Sequence, residues 1–115
     1  MTGPIFEVVS GQILLSRRRE FERLHCDVLL PMMREAGIEP FLLLVIELGV
    51  HGRFLDIYRY PSLVEYERRT DALLANAKIH DYYAQISQCI QGSISVEIGL
   101  PFPHAMDLAR EHWPI

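Results

Sequence analysis

FLLLVIELGVHGRFLDIYRYPSL, residues 41–63, is the stretch around which the rest of the chain can be ordered. It holds an apolar run, a turn centred on His51-Gly52, a second extended run, and Pro61-Ser62 opening a helix. A two-residue loop between strand-like runs predicts a tight hairpin, because glycine supplies the positive φ such turns need. That loop fixes a register: Val50 faces Arg53, Leu48 faces Leu55, Glu47 faces Asp56, Val45 faces Tyr58 and Leu43 faces Tyr60. Period-two alternation puts Leu42, Leu44, Ile46, Leu48, Leu55 and Ile57 on one apolar face, interrupted by Arg59. The other face carries Glu47, Gly49, Asp56, Tyr58 and Tyr60.

Working outward, residues 5–15 (IFEVVSGQILL) are extended in character, with Gly11 marking a bulge or a close approach. Ser16 is placed to cap a helix running to about Ala36, whose stripe is Phe21, Leu24, Val28 and Met32. Pro31 should kink that helix and Gly37 end it. Downstream, Ser62 caps a second helix with Leu63, Tyr66, Thr70, Leu73 and Ala77 inward. It breaks at Asn76–Lys78, and a short third helix follows with Ile79, Tyr82 or Tyr83, Ile86 and Ile90 buried. Residues 91–99 alternate Ile94, Val96 and Ile98 against Ser93, Ser95 and Glu97, a half-buried strand. Two prolines then stop the sheet, and the tail from residue 100 to 115 suits a short amphipathic helical turn ending at Trp113.

The order β-α-β-β-α-β, with its second helix in two pieces, predicts an α+β, ferredoxin-like fold: a four-stranded antiparallel sheet with helices on one face. Residues 1–115 fit one such domain. Half of the residues are hydrophobic, rich for so small a monomer, and the uncovered sheet face can be closed by a second copy. A homodimer through the face bearing Tyr58 and Tyr60 is therefore expected. A net charge of −4 argues against a nucleic-acid surface, and no apolar run approaches a membrane span. With no signal-peptide pattern at the start, the expectation is a cytoplasmic protein in which Cys26 and Cys89 are buried reduced thiols.

Glu47 and Asp56 carry the sharpest chemistry. Opposed across a hairpin, two carboxylates repel, and one is pushed toward neutrality, which suits a general acid or base. The competing account is a salt-bridged interface in which Arg53, Arg59 or a partner's arginine neutralises them. Tyr58, Tyr60 and Tyr66 are phenol donors for a carbonyl or enolate, or else core and interface filling. His25 lies beside the first helix's buried stripe, reaching a cavity or satisfied by a backbone carbonyl. His51 reads as a turn residue, and His80, His104 and His112 lack ligand spacing, so no metal is expected. Arg17, Arg18 and Arg19 mark an anion-binding rim or a solvated face paired with nearby acids.

The segment ELGVHGRFLDIYRYPSL resembles the hairpin of NIPSNAP-type proteins, with Glu47, Gly49, Tyr58 and Tyr60 on its characteristic positions. LLPMMREAGI is similar to that family's kinked helix, ERRTDALLANAKIHDYY to the segment after the hairpin, and LPFP to its tail. The resemblance implies the dimeric α+β barrel superfamily, whose relatives include small-molecule monooxygenases, cyclases, isomerases and haem-degrading enzymes. The chain departs from the family's first-strand Glu-x-Arg-x-Tyr: Glu7 remains, but Val9 and Gly11 stand at the other two positions. Asp56 replaces a typical third-strand histidine and Ile79 a typical tryptophan. Small residues there imply a ligand-sized cavity lined in part by Val9, Gly11 and the hairpin.

Together these readings point to a homodimer acting on a small, enolisable organic molecule without a cofactor, by cyclisation, isomerisation or oxygenation. Glu47 and Asp56 are the candidate catalytic pair. Glu7, Val9, Gly11, His25, Tyr58, Arg59, Tyr60 and Tyr66 are candidate substrate contacts. The alternative is a non-catalytic binding or interaction module in which the polar patch only serves the dimer.

Overall fold

Four extended segments satisfy one another's backbone groups in a single antiparallel sheet. They are β1 (Ile5–Ile13), β2 (Glu39–Val45), β3 (Arg53–Tyr60) and β4 (Ile90–Gly99), in the order β2-β3-β1-β4. The computed structural model describes residues 3–102, and the expected tail helix, with His104 and His112, lies outside them. Between the strands run α1 (Arg18–Arg23), a π-helical segment (Leu24–Leu29), α2 (Leu30–Glu35), α3 (Leu63–Leu74) and α4 (Ile79–Ile86). The architecture is the ferredoxin-like α+β arrangement expected from the order of elements. Among the described residues, no helix is long and apolar enough to cross a membrane.

Local chemistry explains two of the element boundaries. Ser62 accepts a hydrogen bond from the Glu65 amide at 3.2 Å and starts α3. The Asn76 side chain accepts from the Lys78 amide and fixes the break before α4. Ser16 does not cap: a 3₁₀ turn, Leu15–Arg17, leads into α1 without any side-chain cap. Pro31 is the second residue of α2, directly after the π-helical turns. A proline offers no amide to the upstream carbonyl, so the helix changes its bonding pattern there instead of running straight through. The Leu30 amide reaches back five residues to the His25 carbonyl.

The hairpin departs from its expected register. Pairing ends at Ile46 and Arg53, so Val45 meets Phe54 rather than Tyr58, and Leu43 meets Asp56. Residues 47–52 form a wider loop in which both Gly49 and Gly52 have positive φ. The physical reason lies in turn chemistry. A two-residue primed turn with glycine second also needs a left-handed residue first, a conformation that costs His51 energy. Instead the Gly52 amide binds the Ile46 carbonyl, His51 Nδ1 binds the Glu47 carbonyl, and Gln12 of β1 donates to the His51 carbonyl. Glu47 and Asp56 are consequently not cross-strand neighbours.

The slip is four residues, an even number, so each strand keeps its faces. Leu42, Leu44, Leu55 and Ile57 do share the face away from the helices. A bulge at Phe41 adds that ring to the same face, where it meets Phe6 edge-on at 5.3 Å. The other face is covered by helices within the monomer. Phe54, Asp56, Tyr58 and Tyr60 are each at most 3% exposed there, which corrects the expected dimer face: Tyr58 and Tyr60 are not available to a partner. Helix cover ends at β4, whose helix-side residues Ile94, Val96 and Ile98 stay 44%, 57% and 40% exposed. Of the cysteines, Cys89 is buried and Cys26 is exposed, both as free thiols.

Candidate functional site

A cavity of about 200 Å³ lies between the helical layer and the helix-side face of the sheet. Its wall is mainly apolar, and its polar groups form two clusters.

The first cluster joins three elements. Asp56 projects from β3, His25 from the π-helical segment and Tyr82 from α4. His25 Nε2 lies 2.5 Å from Asp56 Oδ2, and both residues are buried. A carboxylate can only accept, so Nε2 carries the hydrogen and a neutral ring leaves Nδ1 free to accept. The Tyr82 hydroxyl sits 3.3 Å from that Nδ1, and the Tyr58 hydroxyl donates to Asp56 Oδ2 at 3.3 Å. Both bonds to Asp56 fall on Oδ2, leaving Oδ1 for a ligand. Phe21 stacks on the imidazole with centroids 4.8 Å apart, which holds the ring plane. Burial, reinforced by the Asp56 charge, pushes the Tyr58 and Tyr82 phenols well above their ordinary range, so both act as donors.

The second cluster surrounds Glu7 of β1. Its carboxyl accepts from the Tyr60 hydroxyl at 3.2 Å and the Tyr66 hydroxyl at 3.1 Å, and those two rings meet edge to face. Burial raises the Glu7 pKa above its ordinary 4.5, and the two phenol bonds oppose it without cancelling it. The raised value matters because a carboxyl poised closer to neutral pH exchanges protons more readily in both directions. Glu7 pairs with Tyr58 and Val9 with Asp56 across β1 and β3. The two carboxyls are therefore diagonal neighbours on one face, with Cβ atoms on the order of 7–8 Å apart.

The structure thus gathers Glu7, Val9, His25, Asp56, Tyr58 and Tyr60 on the cavity wall, with Tyr66 behind Glu7. It leaves out three candidates. Glu47 sits in the exposed loop, gripped through both oxygens by Arg18, which holds its carboxyl below the usual carboxylate range. Arg59 lies on the opposite sheet face, paired with Glu39. Gly11 does not open the cavity: a Cβ there would fall 2.9 Å from the Phe54 ring, so the missing side chain is the seat of that ring. Arg18 also pairs with Glu22, in line with the solvated-face account of the arginine run. Tyr82 is a site residue that the sequence does not single out: helical spacing with Ile79 and Ile86 fits Tyr82 or Tyr83 inward, and the structure buries Tyr82. Among the described residues no three or more His, Cys, Asp and Glu side chains gather to hold a metal ion.

No protein-family model matches the chain, and no curated protein matches it in sequence. Solved structures do match. A NIPSNAP family protein from Agrobacterium tumefaciens superposes with a TM-score of 0.79 at 18% identity, over 91% of both chains. A NIPSNAP-like domain protein from Burkholderia xenovorans gives 0.78 at 18% identity, over 91% of this chain and 90% of that one. The chain has the NIPSNAP fold. A Caulobacter crescentus protein, provisionally described as an antibiotic biosynthesis monooxygenase, gives 0.70 at 14% identity, over 89% and 92%. The fold common to the NIPSNAP proteins and this monooxygenase-like neighbour is the ferredoxin-like α+β arrangement described above.

Proposed function

We propose that the protein binds a small organic molecule between its helices and sheet and performs proton transfer on it without a cofactor. The observation that carries this reading is the buried Asp56–His25 pair, bracketed by Tyr58 and Tyr82, on the wall of a cavity that Glu7 shares. In an enolisable substrate, a carboxylate at Asp56 or Glu7 takes the proton from carbon, and the C–H electrons move into the carbonyl. A phenol at Tyr58 or Tyr82 steadies the resulting oxyanion. Returning the proton to a different carbon gives an isomer; adding the carbanion to a second carbonyl gives a ring. Reaction of the same carbanion with dioxygen is the course suggested by the description of the Caulobacter neighbour.

A homodimer belongs to this reading. The sheet face away from the helices exposes Phe41, Leu42 and Leu44 beside half-buried Phe6, Leu55 and Ile57, and a second copy offers a matching apolar surface.

The test uses 2-tetralone, an uncharged two-ring ketone with acidic C–H bonds, in deuterated buffer. Proton NMR should show deuterium entering faster with the protein than in buffer, with the gain lost in Asp56→Asn and His25→Gln variants that keep the native circular dichroism spectrum. Binding of the ketone without faster exchange would overturn the catalytic reading and leave a binding module.

A further inference from the structure

We infer that the cavity selects uncharged molecules of one or two rings, and that Glu7 is the group that turns their anionic counterparts away. This rests on the cavity being the ligand site proposed above and names the class of ligand. Size comes first. An engineered apolar cavity of about 150 Å³ takes up benzene, so about 200 Å³ accommodates one ring with substituents, or two rings where the cavity opens over Ile94 and Val96. Phe21, Leu29, Met33, Phe54, Leu73 and Ile86 supply the apolar walls.

Charge decides the rest. Glu7 and Asp56 stand on adjacent strands of the same wall, so a ligand lying across it meets both carboxyls within a ring's length. An anion moved from water into such a site needs a cation or a set of free donors to replace its hydration. Before any proton moves, the donors nearest at hand are engaged: Tyr60 and Tyr66 with Glu7, Tyr58 with Asp56, and Tyr82 with His25. An oxyanion made in place differs, because the proton taken up by a carboxylate leaves the total charge unchanged and frees its phenol. His25 is itself held by Asp56. No lysine or arginine lines the cavity among the described residues. An amide, ketone or hydroxyl group needs no counterion and can share a phenol as acceptor. Between the two acids, Glu7 is the one without a basic partner, so its charge acts directly on a ligand.

The discriminating pair is 2-naphthamide and 2-naphthoate, near-isosteres that differ in charge, titrated calorimetrically at pH 7.5. The amide should bind at least tenfold more tightly, and Glu7→Gln should narrow the gap by strengthening naphthoate. Glu7→Met, of similar length and uncharged, serves if Glu7→Gln does not fold. Naphthoate binding as tightly as the amide, a gap unchanged by removing Glu7, or no binding of either probe would overturn the inference. The amide offers no ketone α-carbon, so its affinity is read apart from proton transfer. Amide binding with no tetralone exchange would sink the catalytic reading alone. Tetralone exchange with equal naphthoate affinity would sink the charge selection alone.

Discussion

Gly11→Ala gives the most direct check on how the site is held. Gly11 has ordinary φ, so alanine costs nothing in backbone strain, and elsewhere such a change gains about 0.4–1 kcal/mol by stiffening the unfolded chain. Here the new methyl would stand 2.9 Å from Phe54 Cε1 and 3.1 Å from Cζ. Reaching ordinary contact at 3.4 Å requires the ring to retreat by about half an ångström. Phe54 is 2% exposed, its centroid is 4.9 Å from that of Phe21, and Phe21 in turn stacks on His25. A ring with packed neighbours cannot retreat freely, and overpacking of this kind costs about 1–3 kcal/mol. At roughly 4 °C per kcal/mol for a domain of this size, the melting temperature should fall by about 4–12 °C. Thermal unfolding followed by circular dichroism, at one fixed protein concentration, measures it. Phe54→Leu should relieve the clash, so the double variant should lose less than the two single losses added, by about 1 kcal/mol. An unchanged or raised melting temperature for Gly11→Ala would refute the packing argument and restore Gly11 as an opener of the cavity.

Three further outcomes follow from the same geometry. Glu47→Gln should leave tetralone exchange and the melting temperature unchanged within error, since its arginine partner is at the surface and screened by salt; a lost reaction would return Glu47 to the site. Glu7→Gln should raise the melting temperature above the wild type near neutral pH and match it below about pH 4.5. The folded-state pKa of Glu7 lies above the unfolded value, so its contribution is fully present at low pH and lost as pH rises through the folded value; a variant less stable across pH 4–9 would contradict this. If the proposed sheet-face dimer forms, Leu44→Glu should leave a monomer of 13.3 kDa in light scattering, and a wild type already at that mass at micromolar concentration would dismiss that dimer.

The faces of the sheet were legible in the sequence, whereas the partners across it were not, and the reason is arithmetic as well as chemical. Side chains alternate with period two, so a hairpin slipped by four residues keeps Leu42, Leu44, Leu55 and Ile57 together while giving every residue a different opposite number. The fold survives that error, because it depends on which face is apolar. The catalytic pair does not survive it, because it depends on a single cross-strand contact. Register was set by Gly49, by the poor fit of His51 to a left-handed position and by Gln12 reaching over from β1, and only the first two stand inside the hairpin.

Asp56 nevertheless stayed in the site, since its face was right, and the question became which residue meets it. The answer, His25, is 31 residues away and needs an account of the helix rather than of the strand. A regular α-helix read through Phe21, Leu24, Val28 and Met32 sets His25 at the edge of the stripe. The π-helical turns from Leu24 to Leu29 add a residue to the inward face, and His25 comes in with Leu24 and Leu29 as a buried group. Pro31 was the visible sign that the hydrogen-bonding pattern had to change hereabouts, though a proline announces a disturbance and not its geometry. Glu7 became legible by resemblance alone: a lone acid on a mostly apolar strand carries no signal of its own until Tyr60 and Tyr66, from two later elements, are seen to close on it. What the sequence could not carry is therefore of one kind: the contacts of His25 with Asp56, of Tyr82 with His25, and of Tyr60 and Tyr66 with Glu7 each join polar tips from elements far apart in the chain.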